Sequence, residues 1–323
     1  MTTPPEPTVP SAPPTPGPFP TALRERLGRV GIWTGQLDYQ PSPQVRAAAL
    51  EIEALGYGAV WTGEAVGREV LSAAGLLLAA TDRLVVATGI ANVWARDPLA
   101  TAAGQLTLGE AHPGRFVLGI GVSHRLLLDV RGQDYAKPYS HLAAYLDAMD
   151  QAYGRYRAVR PEPWPPRLLA ALGPRMLGLA RDRAQGAHTF FVPPEHTAAA
   201  RDILGPDRLL APEQCAVLET DPGVARELAR RHTGSYLRLP NYTNNLRRYG
   251  FGDGDFAAGG SDRLVDALVA WGDEGAIAAR VQAHLDAGAD HVALQVLDPA
   301  PHGIAREGWA RLAPAVLATR ATR

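Results

Sequence analysis

Residues 28–65, GRVGIWTGQLDYQPSPQVRAAALEIEALGYGAVWTGEA, contain one complete unit of the fold and the start of the next. Residues 28–34 are a short apolar run and read as a strand. Residues 43–55 then place Val45, Ala48, Ala49, Ile52 and Leu55 on one helical face, and Gly56 follows where a helix-ending glycine belongs.

The unit recurs. The run 58–62 leads to a helical pattern over 69–81, 84–88 to 98–110, 116–120 to 139–153, 167–171 to 174–184, and 188–192 to 195–204. The run 215–219 precedes a helix over 222–232, residues 291–297 make an eighth strand, and 309–318 a closing helix. Eight strands, each followed by a helix, predict an α/β fold of the (β/α)8 TIM-barrel type. The interval 220–290 exceeds one crossover, so it holds an insertion between strands 7 and 8 together with a helix over 276–287. An open doubly wound sheet would carry a glycine-rich dinucleotide loop after its first strand, and GIWTG at 31–35 is not one.

Composition narrows the partners. Lys+Arg of 32 against Asp+Glu of 33 gives a formal charge of -1, without the footprint of a nucleic-acid or anionic-membrane binder, so a small molecule is expected. The single cysteine, Cys215, excludes an intrachain disulfide and any multi-cysteine metal site, and a reducing cytoplasm is expected. The apolar stretch 71–80 is about half a bilayer span. Lys137 is the only lysine and sits in a loop-like context, which sets aside Schiff-base chemistry. The nine histidines show no HExxH pattern, so no metal is expected. Nine of the 28 prolines fall in residues 1–20, read as a disordered tail ahead of a single domain over 21–323.

A barrel places its site at the C-terminal ends of the strands. The candidates there are Trp33, Glu64, Gly89 to Asn92, Ser123, His124, and Gly173 to Met176. Gly173 and Pro174 are either an anion site at a helix start or an ordinary strand-to-helix joint. His124 is either an acid/base or structural. Glu64 is either an acid/base or a partner for Arg68. Asp97 reads as the cap of the helix that Pro98 begins, with Arg96 solvated or paired locally.

GRVGIW, LGYGAVWTGEA, VVATGIANVWARDP, GRFVLGIGVSH and LLAALGPRMLGLARDRAQGAH, followed by LPNYTNNLRRYGF and GGSDRLVDALVAWGD, occur in order from residue 28 onward. Together they resemble the luciferase-like monooxygenase superfamily, in its branch of deazaflavin-dependent oxidoreductases. The resemblance implies a barrel that binds coenzyme F-420, with FMN as the alternative, and transfers a hydride to or from an unidentified small substrate. An FMN-dependent monooxygenase and a non-catalytic coenzyme-binding protein are the competing functions. It further implies a non-prolyl cis peptide at Gly89-Ile90 behind the coenzyme ring, a polar contact from Asn92, and a phosphate loop at Gly173, Pro174, Arg175 and Met176. Trp33 would wall the substrate side, with His124 or Glu64 handling the proton. Relatives of this kind are often homodimers.

Overall fold

The computed structural model describes residues 16–300 and 302–319. Nine strands are present among them: β1 Val30–Trp33, β2 Ala59–Gly63, β3 Val85–Asn92, β4 Phe116–Gly121, β5 Arg167–Ala170, β6 Gly186–Thr189, β7 Leu209–Val217, β8 Val269–Trp271 and β9 Val292–Val296. All pairings are parallel; β1 to β7 follow one another, and β9 joins β7 back to β1. Eight strands therefore close the expected TIM barrel. The ninth, β8, runs along β7 outside the closed ring, Cys215 opposite Val269 and Val217 opposite Trp271.

Two strand boundaries differ from the sequence pattern. The sixth strand covers Gly186–Thr189, and the seventh begins at Leu209 although its apolar signal begins at Cys215. Pro212, Glu213 and Gln214 interrupt that signal, yet every residue of β7 is buried. Pro212 has no amide hydrogen to give to a ladder. Pairing with β6 ends there, at Thr189 opposite Pro212, and β8 takes up the same edge of β7 three residues on.

Helices cover the outside, and seven of those described carry proline at the first or second position, where the missing amide costs nothing. Asp97 caps its helix as expected, its Oδ1 accepting from the Ala100 amide at 3.0 Å. The proline-rich tail lies outside the described residues for 1–15. Residues 16–20, assigned to the same tail, belong instead to the fold: Phe19 is buried and its amide donates to the Asp207 carbonyl at 3.2 Å. Composition averages over a segment and passes over a single aromatic anchor.

The barrel interior is filled around Trp61. Its ring stacks on His188 at 4.9 Å, and its Nε1 donates to His291 Nε2 at 2.9 Å. His291 in turn donates from Nδ1 to the Gly28 carbonyl. Burial pushes both imidazoles down to about 4, so each is neutral near pH 7. Between β7 and β8 the insertion folds into helices Pro222–Tyr236, Pro240–Arg247, Asp253–Phe256 and Asp262–Leu268, which bring Tyr236, Tyr242 and Arg248 to the barrel mouth.

Candidate active site

The ends of β3, β4, β5 and β6 meet the insertion around a cavity of about 310 Å³, within the size range of small-ligand sites. Ile90, Ala170 and His188 line it from the strands, His124 from the segment after β4, and Tyr242 and Arg248 from the insertion.

β3 is irregular where it borders this cavity. Its register slips against β2 between Trp61 and Gly63, and against β4 between Ala87 and Ala91, which defines a bulge around Gly89. A Cβ on Gly89 would stand 3.1 Å from the His188 ring, so any larger residue would push the ring aside by a few tenths of an ångström. The Gly89-Ile90 bond is trans, since the one cis peptide among the described residues is Glu162-Pro163. The bulge, not a cis bond, displaces the backbone here. His188 donates from Nδ1 to the Ala211 carbonyl at 2.8 Å, which leaves the Nε2 lone pair without a partner among the described residues. Strand-end position was the only sequence signal that could have singled out His188, and the expected strand began on it rather than ending there.

Gly173 and Met176 line the cavity at the start of the helix Pro174–Arg183. A Cβ on Gly173 would lie 3.0 Å from Arg248 Nη1. The free amides of a helix start and a guanidinium thus share one corner, and each favours an anion. Arg175, expected in the phosphate loop, instead stacks over Tyr139 at 4.5 Å, and neither it nor Pro174 lines the cavity. Arg248 carried no signal of its own, because it arrives from the insertion rather than from a strand end.

Glu64 is buried and its carboxylate is occupied. Arg96 reaches it through both terminal nitrogens, Nη1 to Oε2 at 2.9 Å and Nη2 to Oε1, and the Asn92 amide donates to Oε2 at 2.8 Å. Its partner is therefore Arg96, which also bonds Glu69, and not Arg68, which donates to the Gln40 carbonyl. A carboxylate held by one guanidinium and a backbone amide ties the β2 and β3 ends together. Arg96, expected to be solvated or locally paired, is a half-buried clamp on Glu64 and Glu69. Asn92 accepts from the Trp94 amide at 3.0 Å, while its Nδ2 has no partner among the described residues.

His124 lines the cavity with Nδ1 unpartnered among the described residues, and the Asn241 side chain hydrogen-bonds the ring. Burial holds its pKa below the ordinary value, so the imidazole is a neutral proton acceptor near pH 7. The residue before it, Ser123, sits at φ 58°. Trp33 packs its ring 5.1 Å from Phe190, itself a cavity residue, and so adjoins the cavity without lining it.

The sequence profile described as luciferase-like monooxygenase matches residues 28–291. The chain belongs to this family. A protein of Mycobacterium tuberculosis with the provisional name coenzyme F-420-dependent oxidoreductase is 31% identical over 132 residues, 40% of this chain and 37% of that protein. The chain thus spans well under half the length of that relative. Among solved structures, the coenzyme F-420-dependent tetrahydromethanopterin reductase of Methanopyrus kandleri superposes with a TM-score of 0.69 at 16% identity, over 90% of this chain and 98% of that one. An F-420-dependent secondary alcohol dehydrogenase in complex with an F-420-acetone adduct gives 0.70 at 15%, over 91% and 99%. The oxygenating constituent of 3,6-diketocamphane monooxygenase of Pseudomonas putida, in complex with FMN, gives 0.62 at 15%, over 90% and 96%. Similarity at these identities establishes the shared barrel. No helix among the described residues is long and apolar enough to cross a membrane.

Proposed function

We propose that this member of the family is an oxidoreductase that transfers a hydride between coenzyme F-420 and a small organic substrate. The observation that carries the reading is the corner formed by Gly173, the helix start and Arg248, at one end of a cavity bounded elsewhere by the bulged β3. A ring system with an anionic side chain matches that donor set. When bound, the coenzyme supplies the hydride chemistry itself.

The chain's own residues then have distinct tasks. Arg248 and the helix amides would hold the coenzyme's phosphate. Gly89 keeps the backbone out of the way of His188, whose unpartnered Nε2 on the cavity wall would offer an acceptor to the ring. His124, neutral and facing the cavity, takes or returns the proton that accompanies hydride transfer. Glu64 positions, and Trp33 walls the substrate side. The relatives described by their dependence on F-420 support this choice of coenzyme.

Fluorescence titration with F-420 and, separately, with reduced and oxidised FMN tests the reading. F-420 is expected to bind, and Arg248→Ala to weaken it about tenfold to a hundredfold, the range of a charge-assisted hydrogen bond. His124→Ala is expected to lower turnover about a hundredfold with coenzyme affinity unchanged. Selective FMN binding would move the protein to the monooxygenase reading. Tight F-420 binding with no absorbance change across a substrate screen would make it a carrier.

A further inference from the structure

The cavity occupies one side of the barrel mouth, that of β3 to β6. The other side is formed by β7, β9 and β1, neighbours in the closed sheet. On these three strands the inward positions near the C-terminal ends are Glu213, Gln295 and Trp33. Ile32 pairs with Leu294, so Trp33 and Gln295, the next residues, run side by side; Cys215 pairs with Gln295 and Glu213 with Ala293, which puts Glu213 on the same face one step down. The alternation supports the placement, for Ala211, Cys215 and Ala293 belong to the interior cluster with Trp33, whereas Leu210, Ala216 and Leu294 pack outward.

Each of the three carries a buried polar atom without a partner among the described residues: Glu213 Oε1, Gln295 Oε1 and Trp33 Nε1. They are respectively 2, 3 and 8% exposed. Such atoms are costly to bury unsatisfied, and three of them on the inward faces of adjacent strands suit a polar guest. The backbone nearby is strained as well. Phe191 holds φ 60°, and the amide it presents in that conformation donates to Glu213 Oε2 at 3.1 Å. Left-handed backbone at an aromatic residue persists where the surroundings require it.

We propose that this arc of Trp33, Gln295 and Glu213 is a substrate subsite that holds the oxygen of an uncharged carbonyl or alcohol group. The inference rests on the oxidoreductase reading above and names the substrate class for the same mouth. Trp33 can only donate, Gln295 can present either end of its amide, and Glu213 donates when protonated. Burial, with only the Phe191 amide to oppose it, pushes the Glu213 carboxyl up to about 8, so the donor form prevails at neutral pH. No arginine or histidine among the described residues forms an ion pair with Glu213, and Arg248 stands with the cavity on the other side. A carboxylate or phosphate substrate would find no counter-charge on the arc.

Ligand-observed NMR with cyclohexanone, cyclohexanecarboxylate and cyclohexylamine, with and without F-420, tests the proposal. Cyclohexanone is expected to bind and the two charged probes to bind at least tenfold more weakly. Glu213→Leu and Gln295→Leu are each expected to weaken cyclohexanone about tenfold, the loss of one hydrogen bond, while Glu213→Gln, which keeps a donor, stays within about threefold. Thermal unfolding separates this from misfolding: Glu213→Leu frees the unpartnered Oε1 site but also leaves the Phe191 amide without its acceptor, so its transition is expected to stay cooperative and to shift by no more than a few degrees. Tighter binding of either charged probe, or unchanged cyclohexanone affinity in both leucine variants, overturns the subsite. F-420 affinity is read in the same samples; its failure would strike the coenzyme reading alone, since the probe affinities measured without coenzyme still decide the subsite.

Discussion

Two carboxyl groups are buried at the mouth of this barrel, and they are treated in opposite ways. Glu64, after β2, is gripped by Arg96 at 2.9 Å and by the Asn92 amide. Glu213, on β7, receives a single amide, from Phe191. A carboxylate locked between charged donors stiffens the strand ends beside the proposed coenzyme cavity. Glu213 has no cation beside it among the described residues, and burial next to Phe191, Tyr236 and Tyr242 pushes its carboxyl up to about 8, which favours the protonated, donating form at neutral pH. The same residue type thus serves as a strut on one side of the mouth and as a polar contact on the other, and its partner decides which.

The contrast between paired and unpaired buried groups extends to the histidines, where the largest effect is expected. Burial holds His188, His196, His232 and His291 down at about 4 and His284 at about 3. Their folded values lie below the unfolded value near 6.5. The stability they contribute is complete above about pH 6.5 and is lost as pH falls toward 4, because the unfolded chain takes up protons that the folded one refuses. Urea titrations across that range are expected to fall steeply; a flat profile would mean that these rings are open to water.

Breaking the strut comes next. Arg96→Ala leaves Glu64 buried without its guanidinium and is expected to cost about 3–5 kcal/mol, measured by urea unfolding. A loss under about 1 kcal/mol would class the pair with screened surface ion pairs and remove the contrast with Glu213.

Glu213 tests the other side of the comparison through the sign of its pH dependence. Its folded value, about 8, lies above the ordinary 4.5, so the folded state holds a proton that the unfolded state has released. Its stabilising contribution is present in full below about pH 4.5 and is lost as pH rises to about 8. Cys215, Tyr236 and Tyr242 face the same carboxyl and are themselves pushed up, so they stay neutral over that window. Glu213→Gln is expected to flatten the decline between pH 6.5 and 8, and an identical slope in parent and variant would show the carboxyl to be ionised throughout. The smallest effect belongs to Glu213→Leu, where loss of an unpartnered oxygen and loss of the Phe191 amide's acceptor oppose each other, so the melting temperature read by calorimetry is expected to stay within a few degrees of the parent.

Much of the fold was legible because its signals are local. The strand at Val30–Trp33, the helix Ser42–Ala54 and the Asp97 cap can each be read within a dozen residues. β7 was half hidden, since Pro212, Glu213 and Gln214 look polar in sequence and are buried only because the barrel closes around them. β8 was missed outright, as three residues carry no period.

By itself, the sequence determined a closed barrel and placed the glycines Gly89 and Gly173 at the C-terminal ends of its strands, which follows from periodicity, capping and strand order. Tertiary structure alone decided the chemistry of each polar group. Glu64 meets Arg96 across 32 residues, Gly173 meets Arg248 from the insertion, and Glu213 meets no cation among the described residues. Charge state and hydrogen-bonding role depend on burial and on partners brought from elsewhere in the chain, and neither is a property of the local run of residues.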